Sequence, residues 1–310
     1  MNAQNYIQSV AELQETARAS ASFPFKQLIP YMDDAFQRFV LPYVGESLHN
    51  RLSSLSTDEA SERERETRRL IARALGPLSL VLASPELGVV IGDSGHLVKR
   101  NGDFAAANLD KIERAEQGLR DRGFLGIEIL LSYLKATEAD FAEWADSDYI
   151  QRLTRSLWIA DGREMMRYSS VIVDHPQQSF FCLVPMVESL QESLRARIGA
   201  DLYDQLLESY KADTLDLSLE GMVKLIKEWI TVKLEIAQLG KTDEQPEPTV
   251  PLVFTPRFRP MNRLSTDWCL DRLTFLEANI DRLAAEMSGT TDSLGHTSNM
   301  NSKDLHIFVL

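Results

Sequence analysis

The sequence predicts a mainly α protein made of two tandem helical-bundle subdomains that arose by internal duplication. One observation is a repeat: the block from Leu28 to Leu52 recurs in diverged form as Leu183 to Leu206. A second is that apolar residues recur at three- and four-residue spacing along most of the chain, the period of amphipathic helices. A third is size, since 310 residues with 44% hydrophobic content suit two ordinary globular units.

The two copies of the block share their order of features and align with one single-residue gap. Each has an apolar pair before a proline, Pro30 or Pro185, which suits the first turn of a helix and predicts that a helix begins there. Each then has an apolar stripe, a glycine at Gly45 or Gly199, and a short second helix. Chance similarity between leucine-rich helices is the alternative explanation.

The first subdomain is predicted to span residues 1–147. It should contain a short helix before the block and a polar run over 53–67. The charged string SERERETRR, residues 61–69, is predicted to be a solvated helix face with pairs four residues apart and not a nucleic-acid patch. A core helix over 68–82 follows, which Gly76 and Pro77 kink or split. A β-hairpin near 88–99 follows, because Val89 to Ile91 and Leu97 to Val98 flank the glycine-rich turn Gly92 to Gly95. A long helical region over 105–143 completes it.

The second subdomain, residues 148–310, repeats this order. A helical pattern over 149–166 and a candidate strand over 168–173 precede the second block, and a core helix over 217–239 follows it. A proline-rich linker then leads to an extended arm near 249–260, where the hairpin stands in the first half. The last helix covers 265–287, and a polar C-terminal tail ends in the apolar segment LHIFVL, residues 305–310.

Charge and composition exclude several classes of protein. The net charge of −13 argues against a general binder of phosphate backbones but leaves a local cationic patch open. We expect no sequence-specific nucleic-acid recognition. No run of 18 apolar residues and no signal-peptide pattern is present, so we expect a cytoplasmic chain with no membrane contact. Cys182 and Cys269 are predicted to be free, buried thiols of a reducing compartment.

No motif predicts catalysis, a cofactor or a metal. The string GDSG around Ser94 looks like the nucleophile loop of chymotrypsin-like proteases, but His96 replaces the following glycine and no upstream histidine motif supplies a base. Asp33 and Asp34 are adjacent, so on a helix they diverge by about 100° and form no carboxylate pair. The five histidines, His175 among them, lack metal-ligand spacing, and no phosphate-binding glycine loop occurs.

The residues of the first block carry a family resemblance. The pattern from Ile29 to Leu52 resembles an uncharacterised Bacteroidetes protein family associated with prophage structural modules. The order of helices with a projecting hairpin or arm also looks like the head-tail connector (adaptor) proteins of tailed phages. The resemblance implies a virion component that assembles as a ring beneath the portal and uses arms and tails to contact its neighbours. Internal duplication is a departure from a single-unit connector.

The sequence therefore predicts a non-enzymatic structural protein that forms homo-oligomers or binds other virion proteins, cytoplasmic during assembly and in the virion if phage-derived. The alternative is a cytoplasmic bacterial enzyme or regulatory binding module with an unrecognised site. The expected partner contacts are strand addition by the C-terminal segment, in cis or in trans, onto an exposed strand such as the hairpin. The residues that would make them are Leu305, Ile307, Val309, Val89, Ile91 and Val98.

Overall fold

The fold was analysed in a computed structural model of the chain, and it is mainly helical. The structure describes residues 3–17, 19, 24–56, 59–87, 89–92, 95–98, 109–169, 171–239, 258–260 and 266–287. Among these residues no helix is long and apolar enough to cross a membrane.

The first half contains seven α-helices and two short strands within the described residues. A 3-10 turn, Ala3–Asn5, comes first, and a second one spans Glu138–Asp140. A π-helical segment spans Phe36–Val40. The elements are α1 (Val10–Thr16), α2 (Phe25–Ala35), α3 (Leu41–Val44), α4 (Glu46–Ser54), α5 (Glu62–Leu87), β1 (Val89–Gly92), β2 (Gly95–Val98), α6 (Leu109–Ala136) and α7 (Ala142–Ala145).

The second half follows with two short helices before its long ones. The pattern over 149–166 predicted one helix, but the structure has two, because buried residues at 157–159 interrupt it in a non-helical stretch. The elements are α8 (Asp148–Ser156), α9 (Gly162–Met166), β3 (Val171–Val173), α10 (Pro176–Ile198), α11 (Ala200–Lys211), α12 (Leu217–Leu239), β4 (Phe258–Pro260) and α13 (Thr266–Met287).

The predicted helix starts at Pro30 and Pro185 are wrong. Pro30 lies inside α2 and Pro185 inside α10. Both helices begin earlier because residues before each proline are buried, with Leu28 at 0% and Leu183 at 5% exposure. Burial of these side chains offsets the hydrogen bond that a mid-helix proline removes.

The expected break at Pro77 is also absent. Helix α5 runs through Pro77 to Leu87. Its neighbours Ala74, Leu75 and Leu78 are all fully buried, so packing against α6 holds the helix together across the proline. Cys182, expected to be buried, is exposed, whereas Cys269 is buried as predicted.

Buried apolar residues form two clusters along the chain. The first extends from Ala3 to Trp144 and the second from Leu153 to Ala284. Helix α10 contacts both, because Phe180 is buried in the second cluster while its neighbour Phe181 packs against the first. Successive residues on a helix point about 100° apart, so one helix can serve two cores.

The strands form two small antiparallel sheets. Strand β1 pairs with β2 in the register Val89↔Val98 to Gly92↔Gly95. Strand β3 pairs with β4, which joins residue 171 to residue 260 across most of the second half. Residues 249–257 of the expected extended arm lie outside the described part of the chain.

Two glycines have the same unusual backbone conformation. Gly45 has φ 78° and ψ 153°, and Gly199 has φ 89° and ψ 140°. Each ends one helix and immediately precedes the next, α3 to α4 and α10 to α11. L side chains disfavour this positive φ, so both helix junctions depend on glycine.

Helices α5 and α6 approach unusually closely at Gly126. A Cβ atom at this position would lie 2.7 Å from Cα and 2.9 Å from the backbone nitrogen of Ala74. Since these are backbone atoms, a side chain can be accommodated only by moving one helix. The small residues therefore set the distance between the two longest helices of the first half.

We expect Gly126→Ala to lower the free energy of unfolding by about 1–3 kcal/mol, the usual cost of overpacking a core. Gly118→Ala is the matched control in the same helix, because its Cβ would meet no atom within 4 Å. The control should gain up to about 1 kcal/mol from helix propensity. Urea unfolding of both variants measures this, and equal effects would show that the close contact does not constrain the fold.

Candidate functional site

The predicted partner contacts are only partly covered by the structure. Val89, Ile91 and Val98 lie on the paired strands β1 and β2, where Val89 stands opposite Val98 and Ile91 opposite His96. Residues 305–310, which include the other three predicted contacts, lie outside the described residues. Which of these residues contact a partner stays a prediction.

Two of the polar residues considered for catalysis, Asp33 and His96, are paired with neighbouring residues of the fold. The Asp33 carboxylate accepts a hydrogen bond from the backbone N–H of Ala3 at 2.8 Å. His96 pairs with Ile91 in the two-stranded sheet, and Ser94 lies outside the described residues. Among the described residues, no group of three His, Cys, Asp or Glu side chains is placed to hold a metal ion.

His175 lies at the junction of the two halves, one residue before α10. Its ring centroid is 5.5 Å from that of Phe124 on α6, and its Nε2 is 3.8 Å from Asp121. That distance is too long for a hydrogen bond, and both ring nitrogens are buried without a hydrogen-bonding partner among the described residues. Burial lowers the pKa of His175 despite the nearby carboxylates, so the ring is neutral at pH 7.

The same junction buries a carboxylate. Glu128 on α6 is 7% exposed and accepts the backbone N–H groups of Gln177 at 2.7 Å and Gln178 at 3.2 Å, in the first turn of α10. Burial raises the pKa of Glu128, and the two N–H donors offset this only in part. The side chain thus caps a helix of the second half from a helix of the first.

A second buried cluster joins α9, α11 and α12. Lys227, 5% exposed, donates to Glu164 and to the hydroxyl of Tyr210, and lies 4.1 Å from the Tyr210 ring centroid. Burial acts to lower the pKa of Lys227, but the bonds to Glu164 and Tyr210 outweigh it and raise the pKa. Burial lowers the pKa of the neighbouring Lys211 to about 8. With its ammonium enclosed, Lys227 has a structural role here.

A cleft rich in arginine opens between α1, α5 and α6. We call it the arginine cleft, and its volume is about 460 Å³. Helices α5 and α6 contribute four arginines to its lining, and α1 contributes two glutamates. The lining residues are Tyr6, Glu12, Glu15, Thr16, Arg68, Arg69, Ala72, Arg73 and Arg122.

Helix packing fixes the walls of the arginine cleft. Helix α1 sits tightly on α5, because a Cβ at Gly76 would come within 2.1 Å of the Thr16 hydroxyl oxygen and 3.4 Å of Leu13. The close approach of Gly126 to Ala74 holds α6 against α5 four residues beyond Arg122. Helices therefore form most of the cleft wall, and Tyr6, in the turn before α1, forms the remaining side.

The arginines of the cleft differ in how many of their N–H groups have a hydrogen-bonding partner. Arg69 is paired with Glu66 through two bonds, at 2.7 and 2.6 Å. Arg68 donates from Nη2 to the Leu55 carbonyl at 3.1 Å, but its Nε is buried without an acceptor in the described structure. Arg73 donates no hydrogen bond to a described residue but interacts electrostatically with Glu66, whereas the exposed Arg122 has no ion pair or hydrogen bond with any described residue.

Tyr6 closes one side of the cleft and is not an acid-base group. Its hydroxyl lies 2.8 Å from Nδ1 of His49, and its ring stacks on Phe36 at 5.4 Å. Burial raises the pKa of Tyr6 to about 12 and lowers that of His49. Both groups are therefore neutral at pH 7, which leaves the charge of the cleft to its arginines and glutamates.

The sequence did not predict this cleft. The charged run from Glu62 to Arg69 was interpreted as a solvated helix face with pairs along the helix, and the Arg69 to Glu66 pair fits that interpretation. One feature of the sequence did indicate it: the arginines continue to Arg73, which has no acidic residue three or four positions away on the helix. Placing Arg122 and α1 beside them needed the tertiary structure.

Part of the chain matches a protein family. Residues 40–153 match a family of unknown function, DUF6712. The matched region begins at the end of the π-helical segment and continues into α8, so it includes α5, α6 and the strands between them. No curated protein and no solved structure matches the chain.

We expect Glu128→Ala to lower the free energy of unfolding by about 2 kcal/mol or more, because it leaves two buried N–H groups without an acceptor. Glu128→Gln is the matched control, since its amide oxygen can still accept. Burial raises the pKa of Glu128 in the folded state. The native carboxyl therefore contributes most to the free energy of unfolding below the ordinary titration range of a glutamate, and this contribution falls as pH rises through the raised pKa.

Melting curves from pH 4 to 7 test both expectations. The stability of Glu128→Gln relative to the native protein should increase with pH over this window. A difference that stays constant or falls with pH would show that the N–H donors, and not burial, dominate at this site.

Proposed function

We propose that the protein is a non-enzymatic assembly component that forms a ring with copies of itself or with other virion proteins. The observation that carries the proposal is the β1–β2 pair inserted in the chain between the two longest helices of the first half. Neither strand pairs with a third strand among the described residues. Unpaired strand edges are templates for strand addition by another chain.

The specific assignment rests on resemblance. The Ile29 to Leu52 pattern resembles prophage-associated structural proteins, and the succession of helices with inserted strands is similar to head-tail connectors of tailed phages. We place the protein in the cytoplasm during assembly and in the virion afterwards. The structural roles of Asp33, Glu128 and Lys227 support a non-enzymatic protein, because the buried and hydrogen-bonded polar groups join helices to each other.

We further propose that the two halves descend from one duplicated unit. A proline-containing helix, a glycine with φ near 80°, a short helix and a long helix follow one another in both halves. The aligned positions share their burial: Met32 and Val187, and Val40 and Leu194, are all fully buried. In each half a strand then separates the long helix from the next one, β1–β2 before α6 and β4 before α13.

The π-helical segment explains the one-residue gap between the blocks. Buried positions are spaced four apart from Phe36 to Val40, but three apart from Gln191 to Leu194 in the second block. A π turn is a single-residue excess inside a helix, with the bond here running from the Leu41 N–H to the Phe36 carbonyl. The π turn thus accommodates the extra residue, and the apolar residues before and after it stay on the same buried face of the helix.

We expect deletion of Gln37, an exposed residue of the π segment, to leave the fold intact with a loss of about 1 kcal/mol or less. The helix should become regular, as in the second block. Deletion of the aligned Glu192, also exposed but in a regular helix, rotates the following residues by about 100° and removes Leu194 and Ile198 from the core. That variant should lose about 3 kcal/mol or more.

Chemical unfolding of the two deletion variants provides the comparison. Equal destabilisation would argue against the π segment being the extra residue of the first copy. Circular dichroism of the Gln37 deletion checks that helix content is retained.

The assembly proposal assigns a role to the C-terminal segment. The six residues 305–310 alternate their side chains if they add as a strand, so Leu305, Ile307 and Val309 share one face. The polar segment 288–304 can extend to roughly 55 Å at about 3.3 Å per residue, enough to reach a neighbouring chain. Backbone pairing would give affinity and the three apolar side chains specificity.

We expect replacement of Leu305, Ile307 and Val309 by serine to abolish assembly while the monomer melts as before, since the segment then contributes only between chains. His306→Ser with Phe308→Ser, which changes the opposite face, is the matched control and should assemble. Light scattering gives the oligomeric state and calorimetry the melting temperature. A triple variant that assembles but melts lower would place the segment on its own domain.

A further inference from the structure

We propose that the arginine cleft binds a small molecule bearing a phosphate-type oxyanion. The cleft has a volume of about 460 Å³, within the range of roughly 300–1,000 Å³ typical of small-molecule sites. It is a concavity between three helices, and four of its charged lining residues, Glu12, Glu15, Arg69 and Arg122, are exposed. This inference does not depend on the assembly proposal, because the cleft belongs to a single chain.

The charge of the cleft is opposite to that of the protein. The chain carries a net charge of −13, yet four arginines line this one concavity. Guanidinium groups present planar forks of N–H donors that match the oxygens of phosphate. The two glutamates could accept from hydroxyl or amino groups elsewhere on the ligand, although Glu12 already accepts the N–H of Gln8 at 2.7 Å.

Hydrogen-bonding capacity in the cleft is left unused. Arg73 and Arg122 have no hydrogen-bonding partner in the described part of the chain, and the buried Nε of Arg68 has no acceptor there. Buried donors are normally satisfied by protein, water or ligand. Of these three residues only Arg68 has a buried donor without an acceptor, since Arg73 is half-buried and Arg122 exposed. An oxyanion that reached all three would satisfy the first and replace water at the other two.

Repulsion between the arginines points the same way. Arg69 and Arg73 are four residues apart on α5, the spacing at which like charges on a helix destabilise it. Glu66 pairs directly with Arg69 and also interacts electrostatically with Arg73, so it offsets part of this repulsion. A bound dianion would offset the rest of this repulsion, whereas a solvated surface gains nothing from concentrating arginines around one cavity.

The cleft is formed in advance of any ligand. The contacts of Gly76 with Thr16 and of Gly126 with Ala74 hold α1 and α6 on α5, so binding has little backbone to order. Helix-borne donors also hold their geometry better than donors on loops. We therefore favour a small ligand over an acidic peptide, which would need a longer open groove.

Calorimetric titration of the full chain with pyrophosphate, at an ionic strength held constant with sodium chloride, tests the proposal. We expect saturable binding to one site per chain. Arg73→Gln and Arg122→Gln should each weaken it about tenfold, the effect of losing one hydrogen bond to a charged group. Arg282→Gln, the same charge change on α13 of the second half, should bind as the native chain does.

The ligand-free variants provide an independent check. Arg122 has no bonding partner in the described part of the chain, so Arg122→Gln should melt at or above the native temperature, whereas Arg73→Gln gives up an electrostatic interaction with Glu66 and should melt slightly lower. Pyrophosphate should raise the melting point of the native chain more than that of either variant. Arg73→Lys retains the charge but loses the fork, so it should also bind more weakly.

Three outcomes would overturn the proposal. One is a pyrophosphate effect that sodium chloride reproduces at equal ionic strength. Another is binding that Arg73→Gln and Arg122→Gln leave unchanged. The third is saturable binding of a polyglutamate peptide with none of pyrophosphate, which would assign the cleft to an acidic protein segment.

Discussion

The close packing of α5 against α6 is the constraint on which the rest of the first half depends. At Gly126 the two backbones meet without space for a side chain. Within a few residues on the same helix, Arg122 lines the arginine cleft and Glu128 caps α10. One contact therefore positions the cleft and the junction with the second half, and a shift of α6 would disturb both together.

Much of the helical architecture could be predicted from the sequence, because apolar spacing directly reports which face of a helix is buried. The stripe through Met32, Phe36 and Val40 is buried as its spacing indicated. The prolines misled because local propensity favours a helix start, whereas burial of Leu28 and Leu183 extends the helices upstream. Tertiary packing outweighed a backbone preference in each case.

The candidate sites were far less predictable, for a physical reason. The arginine cleft joins residues near positions 12, 70 and 122, which no local spacing relates. The cluster of Lys227, Glu164 and Tyr210 likewise joins three helices. The π-helical segment Phe36–Val40 was likewise not predicted, because it depends on the apolar residues on both sides remaining in one core.

Helix α10 has a consequence for how the molecule comes apart. Phe180 and Phe181 are adjacent, yet one belongs to each apolar cluster. Unwinding this helix exposes part of both clusters at once, and it also releases the Glu128 cap. The two halves are therefore coupled energetically. Although the chain is long enough for two domains that unfold separately, heat denaturation should be one cooperative transition, with equal calorimetric and van't Hoff enthalpies.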